Sequence, residues 1–369
     1  MISGALIRRK ISMYAFVFVV FLFVGLRLDT GFDWPAYKEI YTNFQQEFYV
    51  SDVPIYSLIY QQEVGSILLL GLSAQYFPNY EFFQAIVTFL FLWSMVSLSN
   101  SVGSRMVALA IALSFVYLLW SVGFSTIRQS IAISFFNFGL AQFIRGRRVY
   151  GMILYAAAPL FQLSAVAYIA AHFLSGYLLR KKGFPRFRSF MAATIVTAAL
   201  MPLAIDGIIM ASSLAAFKLE HYLARGETIY FGVSQISFVL FFSASALIAS
   251  IDGDKESPGT AKLIAIRRLI IILSAFGISC TFFSVARDRL SYEVFILVSV
   301  LIAAPGVRYR LYFMAFFVFF GAFTTVISIF QYPHRTAFDP YQNVIISYIF
   351  DIPSTGLERS RSFIEDIAK

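Results

Sequence analysis

The chain has 369 residues, 59% of them hydrophobic and only 13% charged, with a formal net charge of +9. A soluble domain carries about 25% charged residues, so this composition excludes a water-soluble globular protein and makes lipid the solvent. The basic residues are scattered between apolar runs, which argues against nucleic acid as a partner. The charge is first a statement of topology, because Lys and Arg collect in cytoplasmic loops, and it also suits anionic lipid headgroups or a phosphorylated lipid substrate.

In chain order, the first apolar run, 11–28, lacks a small-residue cleavage pattern and reads as a retained anchor. A spanning helix needs roughly 20 apolar residues. Further candidates are 62–77, 82–98, 105–122, 127–144, 189–212, 233–251, 269–286, 290–306 and 311–330. The stretch 149–179 is too long for one upright span and carries Pro159, Gln162 and Ser164 near its middle. Proline removes a helix hydrogen bond, so two short helices are expected, forming a broken or re-entrant hairpin with its tip at 159–164. The expected fold class is an all-α polytopic integral membrane protein of about ten to twelve transmembrane helices. Residues 1–369 read as a single transmembrane helical domain, with an outer loop at 29–61 and an outer loop and C-terminal tail at 331–369.

Orientation follows from the basic segments. RRK at 8–10, RGRR at 145–148, RKKGFPRFR at 180–188, the 252–268 loop with Arg267 and Arg268, and Arg308 with Arg310 are assigned to the cytoplasm. From residue 145 onward the spans alternate correctly. Upstream, one of the first four runs must lie flat or re-enter, and 62–77, short and stopped by Pro78, is the weakest. The outer face then collects loop 29–61, the start of the 127–144 helix, the hairpin tip, loop 213–232, Arg287–Arg289 and 331–343.

Polar groups in this setting are expensive, on the order of 3 kcal/mol for an ionisable side chain at membrane depth. Arg128 and Gln129 open a helix in FSTIRQSIAISFF. Guanidinium donors and free backbone N–H groups at a helix start suit a phosphate. The alternative is an arginine snorkelling to the interface, and the outer location, against the charge bias, favours the first reading. Arg287, Asp288 and Arg289 separate two apolar runs. They are either a structural ion pair with a spare cation or a pyrophosphate clamp; Glu293 is spaced to engage Arg289, which would leave Arg287 free. Asp29 and Asp33 are candidates for a general base if burial raises a carboxylate pKa; otherwise they are solvated, with Asp29 pairing Arg27. Trp34 and Tyr37 read as interfacial anchors or as a stacking platform for a sugar ring.

The three histidines, His172, His221 and His334, are dispersed, with no HExxH or Cys/His cluster, so no metal site is expected. His334 lies beside Arg335 in an outer segment. DGD at 252–254 has metal-pair spacing but sits in the polar stretch DGDKESPG and reads as a solvated linker. There is no P-loop, GxGxxG or GxSxG, which excludes ATP hydrolysis and serine-hydrolase chemistry and leaves no cofactor motif. The single Cys280 permits no intramolecular disulfide.

Several of these segments together resemble a known family. GLRLDTGFDWPAYKEIY is similar to the early "R…G-t-D-y…Y" motif of EpsG/Wzy-type bacterial exopolysaccharide and O-antigen repeat-unit polymerases. QQEVGSILLLGL supplies the glutamate that follows it. IRQSIAISFFNFGLAQFIRGRRVYGMILYAAAPLFQLSAVAYI resembles the block of an Ile-Arg-Gln helix, a basic turn and "f-H-x-S-a". The second half is looser, with an arginine near 287 and Asp339-Pro340-Tyr341. Gln162 stands where the family pattern has histidine, and glutamine can hydrogen-bond a sugar but cannot take a proton at neutral pH. The resemblance implies a multi-pass enzyme of the bacterial inner membrane. Such an enzyme moves a growing glycan from undecaprenyl pyrophosphate onto a new lipid-linked repeat unit at the outer face, without metal or cofactor, and is usually joined by a chain-length regulator. Under it, Asp33 is the base, Arg128 and Arg287 stabilise the leaving pyrophosphate, and Arg27, Asp29, Trp34, Tyr37, Gln129, Gln162, Arg289, His334 and Arg335 are the substrate-binding candidates. The rivals are an O-antigen ligase-like glycosyltransferase and a flippase or exporter of lipid-linked oligosaccharide. A transporter should show two halves with matching broken helices, and only the 159–164 break is visible.

Overall fold

The computed structural model describes residues 2–28, 30, 34–46, 63–104, 106–118, 126–178, 188, 190–197, 233–251, 260–281, 284–304, 310–330, 342–344 and 348. The fold is all-α. Its helices are α1 (Ile2–Gly25), α2 (Trp34–Gln46), α3 (Val64–Tyr76), α4 (Tyr80–Ser101), α5 (Val107–Leu118), α6 (Ile127–Ile144), α7 (Arg148–Phe161), α8 (Ala165–Leu178), α9 (Val233–Ile251), α10 (Thr260–Ser279), α11 (Ser284–Ala303) and α12 (Arg310–Phe330). A two-residue antiparallel pair, β1 (Arg27–Leu28) with β2 (Gln342–Asn343), ties the end of α1 to the C-terminal region, with Arg27 opposite Asn343. Among the described residues, Tyr80–Ser101 is long and apolar enough to cross a membrane, and shorter apolar helices are Ile11–Gly25, Val64–Tyr76, Arg148–Phe161, Ile236–Ser250 and Arg310–Phe323. Large apolar side chains such as Phe18, Leu68, Phe89, Ile153 and Phe319 stand exposed on the exterior, which water would not tolerate over so wide a surface.

Helix directions define two ends. α1 and α4 run antiparallel, with Tyr14 stacked on Trp93 and Phe21 edge-on to Phe89. The start of α6 packs with the start of α4, through Ile127, Ile131, Tyr80 and Phe83, while Arg145 Nη2 donates to Ser97 O at 3.0 Å near the other end. At that second end Ser104 Oγ donates to Ala303 O at 3.0 Å, and Arg310 donates to Ala304 O. α7 and α8 form the expected hairpin: Pro159 lies in the last turn of α7, and Gln162 to Ser164 make the turn at the first end. Phe135 stacks on Phe161 at 5.1 Å, and Tyr168 reaches Phe136 at 5.5 Å. The centre is an aromatic stack: Phe295 of α11 lies 4.2 Å from Tyr117 and 4.6 Å from Phe241.

Several boundaries differ from the sequence reading. α1 starts at Ile2 and so takes in the basic segment 8–10. The loop 29–61 contains α2, because Trp34, Tyr37 and Tyr41, at helical spacing, bury one face. Arg267 and Arg268 belong to α10 and not to a loop. Arg267 is buried and donates to Ala249 O near the end of α9 at 3.1 Å, one of the carbonyls a helix end leaves unpaired. Apolar windows stop at such a charge although the helix does not. For the same reason α11 starts at Ser284, and Arg287-Asp288-Arg289 lies in its opening turns instead of between two helices. Of the run 189–212, residues 190–197 are helical and the rest lies outside the described residues.

The α3 segment starts and ends at the same end of the bundle, in keeping with the topological count. At its start Ser66 Oγ donates to Phe161 O at 2.8 Å. At its finish the Tyr41 hydroxyl donates to Phe77 O at 2.8 Å and Gln45 Nε2 to Pro78 O at 3.0 Å, so α2 holds the two residues that follow the helix. Close approach of α6 and α7 rests on glycine. A Cβ on Gly139 would meet the Tyr155 ring at 2.4 Å, and one on Gly151 the Phe143 ring at 2.6 Å, the small-residue contact that lets helices touch in lipid. Gly139→Ala is expected to destabilise the protein by about 1–3 kcal/mol. Gly176→Ala, where a Cβ meets nothing within 4 Å, should leave it unchanged; thermal unfolding in detergent checks both.

Candidate functional site

The first end of the bundle gathers the starts of α3, α6 and α11 and the hairpin tip. Glu63, immediately before α3, is only 4% exposed. Its Oε2 accepts from Arg128 Nη1 at 2.7 Å, and its Oε1 accepts from the Leu163 N–H at 3.2 Å. One carboxylate therefore joins three segments. A Cβ on Gly65 would lie 2.7 Å from Leu160 O, so only glycine lets α3 seat this closely on the hairpin. The Arg128 side chain is 22% exposed, and its guanidinium carbon lies 5.9 Å from the Tyr37 ring centre. The sequence reading of Arg128 as an outward cation is modified: it is one half of a largely buried ion pair.

Gln129 takes the other side of the same helix start. Its Nε2 donates to the Tyr168 hydroxyl, its Oε1 accepts from Ser164 Oγ at 3.1 Å, and Tyr168 in turn donates to Arg289 O at 2.7 Å. This chain of bonds connects α6, the hairpin tip, α8 and α11. The segment carrying Arg128 and the segment carrying Arg287 and Arg289 are thereby neighbours. Gln162 caps α7 and is 3% exposed.

Arg287 is 5% exposed. Its Nε and Nη2 both reach Asp288 Oδ1 at 2.9 Å, and its guanidinium lies 4.3 Å from the centre of the Phe238 ring. Nη1 is buried and has no partner among the described residues. A buried guanidinium N–H without an acceptor is rare and costly, and here it is fixed in direction by the ion pair and the ring. The expected contact between Glu293 and Arg289 is not made: Glu293 is fully buried, and neither carboxyl oxygen has a partner among the described residues. The packed helix start points that carboxyl inward, whereas simple i,i+4 spacing assumes an open helix face.

Other candidates take structural positions. Arg27, 2% exposed, donates to Val24 O at 2.8 Å and Thr30 O at 3.4 Å, closing the end of α1, and its own carbonyl accepts from Gln84 Nε2 at 2.9 Å. Trp34 and Tyr37 are both 5% exposed, in a cluster with Tyr41, Tyr80, Phe83 and Ile127. They shape the site from behind and do not offer open ring faces. His172 sits among Phe143, Tyr155 and Phe173 as a core residue. Asp29, Asp33, His334 and Arg335 lie outside the described residues. Glu63, Ser164, Tyr168 and Phe238 were not among the site residues named from sequence; Glu63 had a visible signal there as a charge opening an apolar run, and Ser164 as a polar residue at the hairpin tip. At the far end of α3 an open groove is lined by Phe44, Gln45, Gln75, Tyr76, Phe77 and Pro78.

The arrangement places two ion-paired arginines, Arg128 and Arg287, and the polar hairpin tip at one end of the bundle. A model of the EpsG family matches residues 10–349. Comparison with curated proteins and with solved structures gives no match. The family match runs through the Ile-Arg-Gln helix, the hairpin, Arg287 and β2, so it covers the same elements that converge at this end of the bundle. It carries membrane association and a role in polysaccharide biosynthesis with it: the chain belongs to the EpsG family.

Proposed function

We propose that the protein is a multi-pass glycosyltransferase of the bacterial inner membrane. It polymerises oligosaccharide repeat units carried on undecaprenyl pyrophosphate into O-antigen or exopolysaccharide at the outer face. The observation that carries the reading is the buried Nη1 of Arg287, which has no partner among the described residues and is held by Asp288 and Phe238 at the same end as Arg128. A donor that is desolvated and fixed in direction is suited to an oxygen on which charge develops during reaction. Helices whose ends alternate between two ends of the bundle, with an apolar exterior, support the multi-pass arrangement.

In the reaction a hydroxyl of the incoming unit attacks the anomeric carbon of the growing glycan. The bond from that carbon to the pyrophosphate oxygen breaks, and the electron pair leaves with the pyrophosphate. Arg287 and Arg128 offset the charge, with Arg289 beside them. The hydroxyl proton passes to Asp33, with Asp29 the second candidate. Gln162 takes sugar hydroxyls by hydrogen bonding alone, since an amide cannot act as a base, while Gln129, engaged by Tyr168 and Ser164, supports the hairpin tip. His334 and Arg335 bind substrate at the outer rim. No step requires a metal, and chain length is set with a separate regulator.

Deleting the gene should leave surface glycan with a single repeat unit attached, seen on a lipopolysaccharide or capsule gel. Loss of all repeat units would instead mark a flippase. Arg287→Ala should lower turnover by about 100-fold or more while the protein still inserts, because Asp288, 38% exposed in its side chain, can rehydrate. Asp33→Asn and Arg128→Ala should be inactive in the same polymerisation assay; normal rates would remove the base and leaving-group assignments respectively.

A further inference from the structure

We infer that Glu63 is the positioning residue of the site: it sets where the Arg128 guanidinium stands relative to the hairpin tip, and it lowers the resting affinity for a lipid diphosphate. The inference rests on the proposed transfer reaction but adds a role for a residue that touches no substrate.

The geometry makes the case. Glu63 uses both oxygens on partners far away in sequence, Arg128 Nη1 at 2.7 Å and the Leu163 N–H at 3.2 Å. Leu163 follows Gln162, the residue that caps the first helix of the hairpin. Moving the carboxylate therefore moves Arg128 and the hairpin tip with respect to each other. α3, which carries Glu63, is itself pinned to the tip by Ser66 Oγ on Phe161 O at 2.8 Å and by the Gly65 contact with Leu160. A negative charge 2.7 Å from a guanidinium also opposes any phosphate approaching that guanidinium. Glu63 thus acts in two opposite senses: its geometry favours reaction, and its charge disfavours ground-state binding. Charge builds on the pyrophosphate as it leaves, so the repulsion does not itself speed the reaction; the gain in turnover comes from the position Glu63 gives Arg128.

The two senses can be separated. Glu63→Gln keeps the length and an acceptor for the Leu163 N–H but removes the charge. Glu63→Asp keeps the charge but is one methylene too short to hold both partners. With purified protein and the host's own undecaprenyl pyrophosphate-linked repeat unit, Glu63→Gln should show a KM lower by about threefold. Its kcat should fall by about 10- to 100-fold. Glu63→Asp should show a similar fall in kcat with KM unchanged. Both should melt below the wild-type temperature, because the partner of Arg128 is altered in each; the readout that discriminates is KM. A merely structural residue would lower the melting temperature and kcat in both variants without moving KM, and that pattern, or wild-type kinetics in both, overturns the inference. If the wild-type protein itself does not polymerise, the functional reading fails. The inference is then read from binding of undecaprenyl pyrophosphate alone: tighter binding by Glu63→Gln than by wild type sustains it, and equal binding overturns it.

Discussion

A single buried carboxylate organises the end of the bundle where the polar groups collect. Glu63 is in contact with the start of α6 through Arg128 and with the hairpin tip through the Leu163 amide, and neither contact could be replaced by water at little cost in this setting. Breaking a buried ion pair by removing one partner typically costs about 3–5 kcal/mol, because the other charge is left uncompensated. The pair is therefore a constraint on α3 as a whole: the helix must start beside the tip, and Tyr41 and Gln45 must close its far end. A short apolar segment that would otherwise be read as a span is held across one end of the bundle by polar contacts at both of its termini.

The two arginines that the proposed reaction relies on are held in different ways. Arg128 is held by a carboxylate that reaches it across the fold, and Arg287 by its own neighbour Asp288 and the Phe238 ring. Each cation is matched by an anion, so this end of the bundle is not a bare positive funnel. For a lipid diphosphate, matched charge moderates resting affinity while fixed donors remain available to the leaving group, and stabilisation confined to the transition state is what speeds a chemical step. The hydrogen-bond chain from Ser164 through Gln129 and Tyr168 to Arg289 O keeps the supporting helices in register. Beneath it, the glycine contact of α6 with α7 and the stacked rings of Tyr117, Phe295 and Phe241 supply the rigid packing on which the polar layer sits.

Sequence by itself determined the class of structure and the places where it breaks. A chain this apolar has to satisfy its backbone internally, and helices do so within one segment, so an all-α fold follows from composition. Pro159 with Gln162 and Ser164 located the hairpin turn, and α6 was read with its observed ends because its flanks are polar on both sides. Legibility failed where a helix carries charge. α2 hid in a polar loop although Trp34, Tyr37 and Tyr41 repeat at helical spacing, and α10 and α11 begin before the apolar window opens, since Arg267 is held by Ala249 O and Arg287 by the Phe238 ring, partners that no local window contains.

What only the tertiary structure decided is the pairing of those charges. Glu63 and Arg128 are 65 residues apart, and Glu63 and Leu163 are 100 apart, so nothing in the local pattern couples them. Likewise Glu293 had the spacing to reach Arg289 but is turned into the core, and Trp34 and Tyr37 had the chemistry of a sugar platform but are sealed within an aromatic cluster. Residue type and spacing state what a side chain is able to do. Which of its options is taken depends on what packs against it, and in a bundle of apolar helices that is settled by contacts between segments distant along the chain.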